Sequence, residues 1–149
     1  MKMIKPPKKL SALIWLALGD LVKVEKDKRY QVNMTSWHKP EFGRCNVCFA
    51  GSVMAKTLKT AHKFDADLNS VDFSYEWKLA FQALDAVRQG EIYDALDCHC
   101  HTDLSFKFLK SFYGMENDFW DEQISYYSDP KEFKEAMADI AVMLESHGL

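Results

Sequence analysis

The sequence predicts a mainly α fold: five or six helices around one core, with at most one short strand or hairpin. Three observations lead there. Apolar residues recur at helical spacing in several separate stretches. The composition, 48% hydrophobic with only 6 Gly and 4 Pro, is that of an ordered globular chain. Only one stretch, residues 30–37, alternates with the period of a strand. At 149 residues, without an internal repeat or a composition break, the chain reads as a single domain, 1–149.

Residues 1–9 read as a loose basic arm, because Pro6-Pro7 blocks a helix and four lysines keep it solvated. Residues 9–25 read as a helix that is apolar nearly all round, hence buried on several sides. Ser11 belongs to its first turn rather than to a cap. After a polar link, residues 30–37 alternate, and Pro40 and Gly43 are expected to close that segment with a turn.

The second helix is expected over 45–60, with Val47, Gly51, Met54, Ala55 and Leu58 on one face. Residues 62–70 are polar and read as a loop. The third helix, 74–89, has Ser74 as its N-cap, a stripe of Trp77, Ala80, Phe81, Leu84 and Val87, and Gly90 past its end. Further helical pieces are expected at 92–97, 103–113 and 116–127. The last helix has Asp129 as N-cap, Pro130 at the first helical position and Gly148 beyond the end. Phe133, Met137, Ile140, Ala141 and Leu144 form its buried stripe.

The net charge of -3 hides an uneven distribution. Residues 1–63 carry +9, residues 64–114 carry -5 and residues 115–149 carry -7. The basic part lacks the interleaved aromatics of a nucleic-acid platform, so nucleic acid is not the expected partner. No run reaches the ~20 apolar residues that span a bilayer. The N-terminal stretch lacks a signal-peptide pattern, which points to a cytoplasmic protein with reduced thiols.

Cys45-Asn46-Val47-Cys48 is the motif that carries chemistry, and three readings fit it. The first is zinc, held by Cys45 and Cys48 with Cys98 and Cys100, or with His38, His99 or His101 completing the set. The zinc would be structural or catalytic. The second is a thiol redox site at a helix N-terminus, but the parallel strands of a βαβ unit are not visible. The third is structural: Cys48, Gly51, Ser52 and Ala55 form a small-residue face that lets another helix approach closely. The structural reading is preferred, with no cofactor and zinc as the alternative.

Trp37-His38 reads as a turn anchor and a histidine bonding local backbone. Asp85 and Arg88 read as an intrahelical pair. The aromatics of residues 106–127 exceed what one small core can take. Phe119, Trp120, Tyr126 and Tyr127, rimmed by acids, are the candidate surface for a protein partner. No nucleophile–base pair, phosphate loop or usable carboxylate pair is evident, so the chain reads as a non-enzyme.

Trp37-His38, then Cys45-x-Val47-Cys48-x-Ala50-Gly51-x-Val53-Met54-Ala55, then Leu84-Asp85-Ala86-x-Arg88-x-Gly90 form a pattern. With it the middle third resembles a group of small proteins encoded by tailed phages and prophages. That group has no established activity. The resemblance implies a phage origin and residence in the host cytoplasm, and it supplies no mechanism. The expected function is that of an accessory protein which binds another protein, of the host for instance.

Overall fold

A computed structural model describes residues 5–58, 66–69, 71–88, 125–146 and 148–149. Along the chain these form α1 (Leu10–Glu25), β1 (Tyr30–Val32), β2 (His38–Glu41), β3 (Arg44–Val47), α2 (Phe49–Lys56), α3 (Tyr75–Arg88) and α4 (Pro130–Ser146). The strands make one sheet in the order β1-β3-β2, with β3 parallel to β1 and antiparallel to β2.

The sheet overturns the mainly α expectation of five or six helices with at most one short strand or hairpin. Among the described residues there are four helices and a three-stranded mixed sheet. The error lies at residues 45–47, which were assigned to the second helix. They form the central strand instead, in register Tyr30↔Cys45 and Val32↔Val47 on one side and His38↔Val47 and Pro40↔Cys45 on the other. The helix begins only at Phe49. Pro40 was expected in a turn and lies in β2. That is an edge strand, where a residue without an N–H is tolerated. The expected helices at 92–97 and 103–113 lie outside the described residues, as does most of 116–127. Its residues Tyr126 and Tyr127 lie in a turn over 126–128.

Helical periodicity was informative elsewhere. α1 buries Leu10, Leu13, Ile14, Ala17, Leu18, Leu21 and Val24, and packs against α2, α3, α4 and β1. In α3, Ser74 Oγ accepts from the Trp77 amide at 3.4 Å, and Trp77, Phe81, Leu84 and Val87 are buried. In α4, Asp129 accepts from the amides of Lys131 and Glu132, both at 3.1 Å, so it caps the helix. Phe133, Met137, Ile140, Ala141 and Leu144 face inward. No described helix is long and apolar enough to cross a membrane.

The core has two parts. The larger joins α1, α2, α3 and α4 around Phe49, Met54, Phe81 and Leu84. The smaller lies beneath the sheet and holds Val24, Tyr30, Cys45 and Val47. The junction between them is the passage from β3 into α2, where Cys45 and Cys48 stand. Residues 66–69 run beside β2: the Leu68 amide donates to the His38 carbonyl at 2.9 Å, and the His38 amide donates to Asn69 Oδ1 at 3.0 Å. This segment covers part of the sheet edge.

The hairpin between β2 and β3 turns through two residues, Phe42 and Gly43, with φ of 47° and 82°. Two consecutive positive φ values are the pattern of a type I′ turn, whose usual pair is Asn-Gly. Gly43 fits at no steric cost, but a bulky residue in the left-handed region is strained by about 1 kcal/mol or more. Phe42 is also 98% exposed, so no burial offsets that strain. Replacing Phe42→Asn should therefore raise folding stability by about 1 kcal/mol in urea denaturation.

Candidate functional site

The candidate site is built where the β1–β2 turn, the start of α2 and the middle of α3 meet. Cys48 leaves β3 in extended conformation and caps α2, its Sγ accepting from the Gly51 amide at 3.4 Å. Gly51, one turn into the helix, lies directly beneath the backbone of Trp37. A β-carbon built at Gly51 would overlap the Trp37 carbonyl oxygen and carbon, neither of which can move away without moving the chain. The small-residue face thus admits a turn at this point rather than another helix. Its helix–helix part is carried by Ser52, whose Oγ donates to the Phe49 carbonyl at 2.6 Å and lies 3.4 Å from the Ala17 carbonyl of α1.

Held in this way, Trp37 points its indole at α3 and donates from Nε1 to Asp85 Oδ2. The ring packs against Phe81, with centroids 5.5 Å apart. Asp85 also accepts from Arg88 Nε at 3.2 Å, and Cys48 Sγ lies 3.8 Å from Asp85 Oδ1. The Asp85–Arg88 pair expected within α3 is present, but its larger partner is Trp37, 48 residues away. Burial and then the Asp85 carboxylate push the Cys48 thiol up, from 9.0 to about 12. A thiol in that setting is a poor nucleophile and a poor metal ligand at neutral pH.

Cys45 has a different environment. Its Sγ lies 3.1 Å from His38 Nδ1 and 3.7 Å from Nε2. Two such similar distances place sulfur over the face of the imidazole. On a lone-pair axis of Nδ1, the far nitrogen would lie well beyond reach. His38 Nδ1 is also 2.8 Å from the Ala66 carbonyl oxygen, which can only accept, so Nδ1 carries the proton. Nδ1 therefore has no lone pair for the Cys45 thiol proton. Both side chains are buried, and the Tyr30 ring meets the His38 ring edge-on at 6.0 Å. The contact is one of sulfur packing on an aromatic face. The carbonyl that His38 bonds is 28 residues away, not local backbone.

The two thiols of the motif belong to different clusters, Cys45 to the one beneath the sheet and Cys48 to the main core. Neither is joined in a disulfide. Among the described residues no group of three or more His, Cys, Asp or Glu is placed to hold a metal ion. Cys98, His99, Cys100 and His101 lie outside the described residues, as do Phe119 and Trp120.

Tyr126 and Tyr127 stand just before α4. The Tyr126 hydroxyl donates to Glu25 Oε2 at 2.8 Å, and Lys134 reaches the same carboxylate at 2.8 Å. Tyr127 is 61% exposed, yet its hydroxyl accepts from the Met34 amide at 2.7 Å. Phe42 was not singled out from the sequence. The signal available was Phe-Gly midway between two short runs, where Asn-Gly would mark a hairpin. Comparison with protein-family models, with curated proteins and with solved structures gave no match.

The raised thiol pKa gives a pH test. With its folded value above its unfolded one, Cys48 contributes stability that is complete below about pH 9, its unfolded value, and is lost as pH rises towards about 12. Replacing Cys48→Ala should flatten the fall of stability with pH in that window. Native-state alkylation, read peptide by peptide, should leave Cys48 unmodified at neutral pH and label it once the chain is unfolded.

Proposed function

We propose that the chain is a non-enzymatic accessory protein, phage-encoded in keeping with its resemblance, which needs no cofactor and acts by binding another protein, of the host for instance. The observation that supports this reading is the contrast between its reactive groups and its exposed aromatics. Cys45, Cys48 and His38 are buried and engaged as packing groups. Tyr127, by contrast, presents an exposed ring whose hydroxyl is already fixed by a backbone amide. A ring held in place before contact loses little freedom on binding, which is what makes an aromatic an effective interface anchor. Acidic Asp129, the N-cap of α4, and Glu132 and Glu135 on that helix follow it, and such a rim suits a protein interface.

The test is capture by tagged protein, with wild type, Tyr127→Phe and Tyr127→Ser compared at equal folded fraction. The wild type should retain a specific protein, Tyr127→Phe, whose ring loses its bond to the Met34 amide, should retain less of it, and Tyr127→Ser should lose it by tenfold or more. Equal recovery by Tyr127→Ser would remove the surface, and turnover of any substrate by the purified chain would remove the non-enzymatic reading.

A further inference from the structure

Phe42 carries a strained backbone and an unused ring together. Its φ of 47° lies in the left-handed region, and its side chain is 98% exposed. Asn would serve this turn better. A residue that breaks a local rule without a packing gain marks a place where something other than folding is served.

The charges around the tip are mostly positive. Lys39, Glu41 and Arg44 alternate along the hairpin with the buried His38 and Cys45, so they share its outer face. Glu41 accepts from Asn46 Nδ2 at 2.6 Å, while Lys39 and Arg44 are exposed. The Cys45 amide donates to the Arg29 carbonyl at 2.9 Å, which brings Lys28 and Arg29 to the same end of the sheet. Asp27 is shared there by Arg29 at 2.8 Å and Lys56 at 2.7 Å. Five cations thus stand at this end against the carboxylates of Asp27 and Glu41. Glu25, at the end of α1, is itself held by Lys134 at 2.8 Å. The other acids of α4 belong to a helix that packs on α1, whereas β2 and β3 pack on α2.

An apolar ring in a positive surround selects among occupants. Single-stranded nucleic acid is tracked by a groove with successive stacking aromatics, and the tip is convex with one ring. A bilayer interface needs no groove. It accepts a protruding aromatic side chain, and its anionic headgroups attract the lysines and arginines beside it.

We propose that the Phe42 tip docks the protein on an anionic bilayer surface, with the ring entering the interface and Lys39, Arg44 and the neighbouring cations meeting the headgroups. The surface is distinct from the one proposed around Tyr127 and does not rest on it. One ring and a few cations hold weakly, so docking is reversible and falls with salt. The strain at residue 42 is then tied to a ring that the fold itself does not use.

Co-sedimentation with vesicles tests this, using phosphatidylcholine alone and equal parts phosphatidylcholine and phosphatidylserine. Wild type should bind the mixed vesicles at low salt, release at high salt, and bind phosphatidylcholine alone far less. Phe42→Asn, which relieves the turn and so stays folded, should bind by roughly tenfold less. Lys39→Gln and Arg44→Gln, both at exposed positions, should each bind by about fivefold less. A quencher carried on the lipid acyl chains should dim Phe42→Trp more than wild type. No binding to the mixed vesicles at low salt would overturn the proposal, as would equal binding to phosphatidylcholine alone, undiminished binding by Phe42→Asn, or equal quenching of Phe42→Trp and wild type. Tip-dependent self-association or retention on single-stranded DNA, without vesicle binding, would assign Phe42 to another partner and also overturn it.

Discussion

The close approach of Trp37 to Gly51 is the constraint on which the rest of the candidate site depends. The Trp37 carbonyl occupies the space a side chain would need at residue 51. That approach seats the β1–β2 turn on α2, and from there the indole reaches Asp85 of α3. Asp85 in turn bonds Arg88 and faces Cys48, which caps the helix that carries Gly51. One missing β-carbon therefore joins a turn and two helices through a half-buried, charge-assisted network. Such networks hold one arrangement firmly when each member has a partner.

The same geometry explains why Cys-x-x-Cys is not a paired site here. Cys45 lies on the inward face of β3 with Val47, and Cys48 lies past the strand end, where the chain turns into α2. A strand followed by a helix sends the two thiols to different clusters. In a single helix, residues three apart would share a face. Local context then decides the chemistry of each. Cys45 packs on an imidazole face, and Cys48 is kept as a thiol by burial and by Asp85.

The helices α1, α3 and α4 were legible because their apolar stripes and caps are local signals. Leu10 to Val24, Ser74 with Trp77, and Asp129 with Pro130 need no knowledge of distant residues. The sheet was not legible. β3 is four residues long and is specified by pairing with Tyr30–Val32 and His38–Glu41, so its register is a non-local fact. Val47 also falls on the helical stripe of Gly51 and Met54, which made the strand look like an earlier turn of α2. The small size of Gly51 was legible, but its neighbour was not, since a turn and a helix both require a small residue there. Trp37, Cys48, Gly51, Asp85 and Arg88 were read as parts of separate stretches, and folding brings them to one place.

Two glycine-to-alanine changes test the central constraint most directly. Gly19 and Gly51 are both inside helices, but a β-carbon at Gly19 meets nothing within 4 Å. Helix propensity alone would make either alanine stabilising by about 0.5–1 kcal/mol. Urea denaturation should show that gain for Gly19→Ala and a loss of about 3 kcal/mol or more for Gly51→Ala, because the clash is with backbone. A gain for both would contradict the account, since Trp37 would then not rest on Gly51.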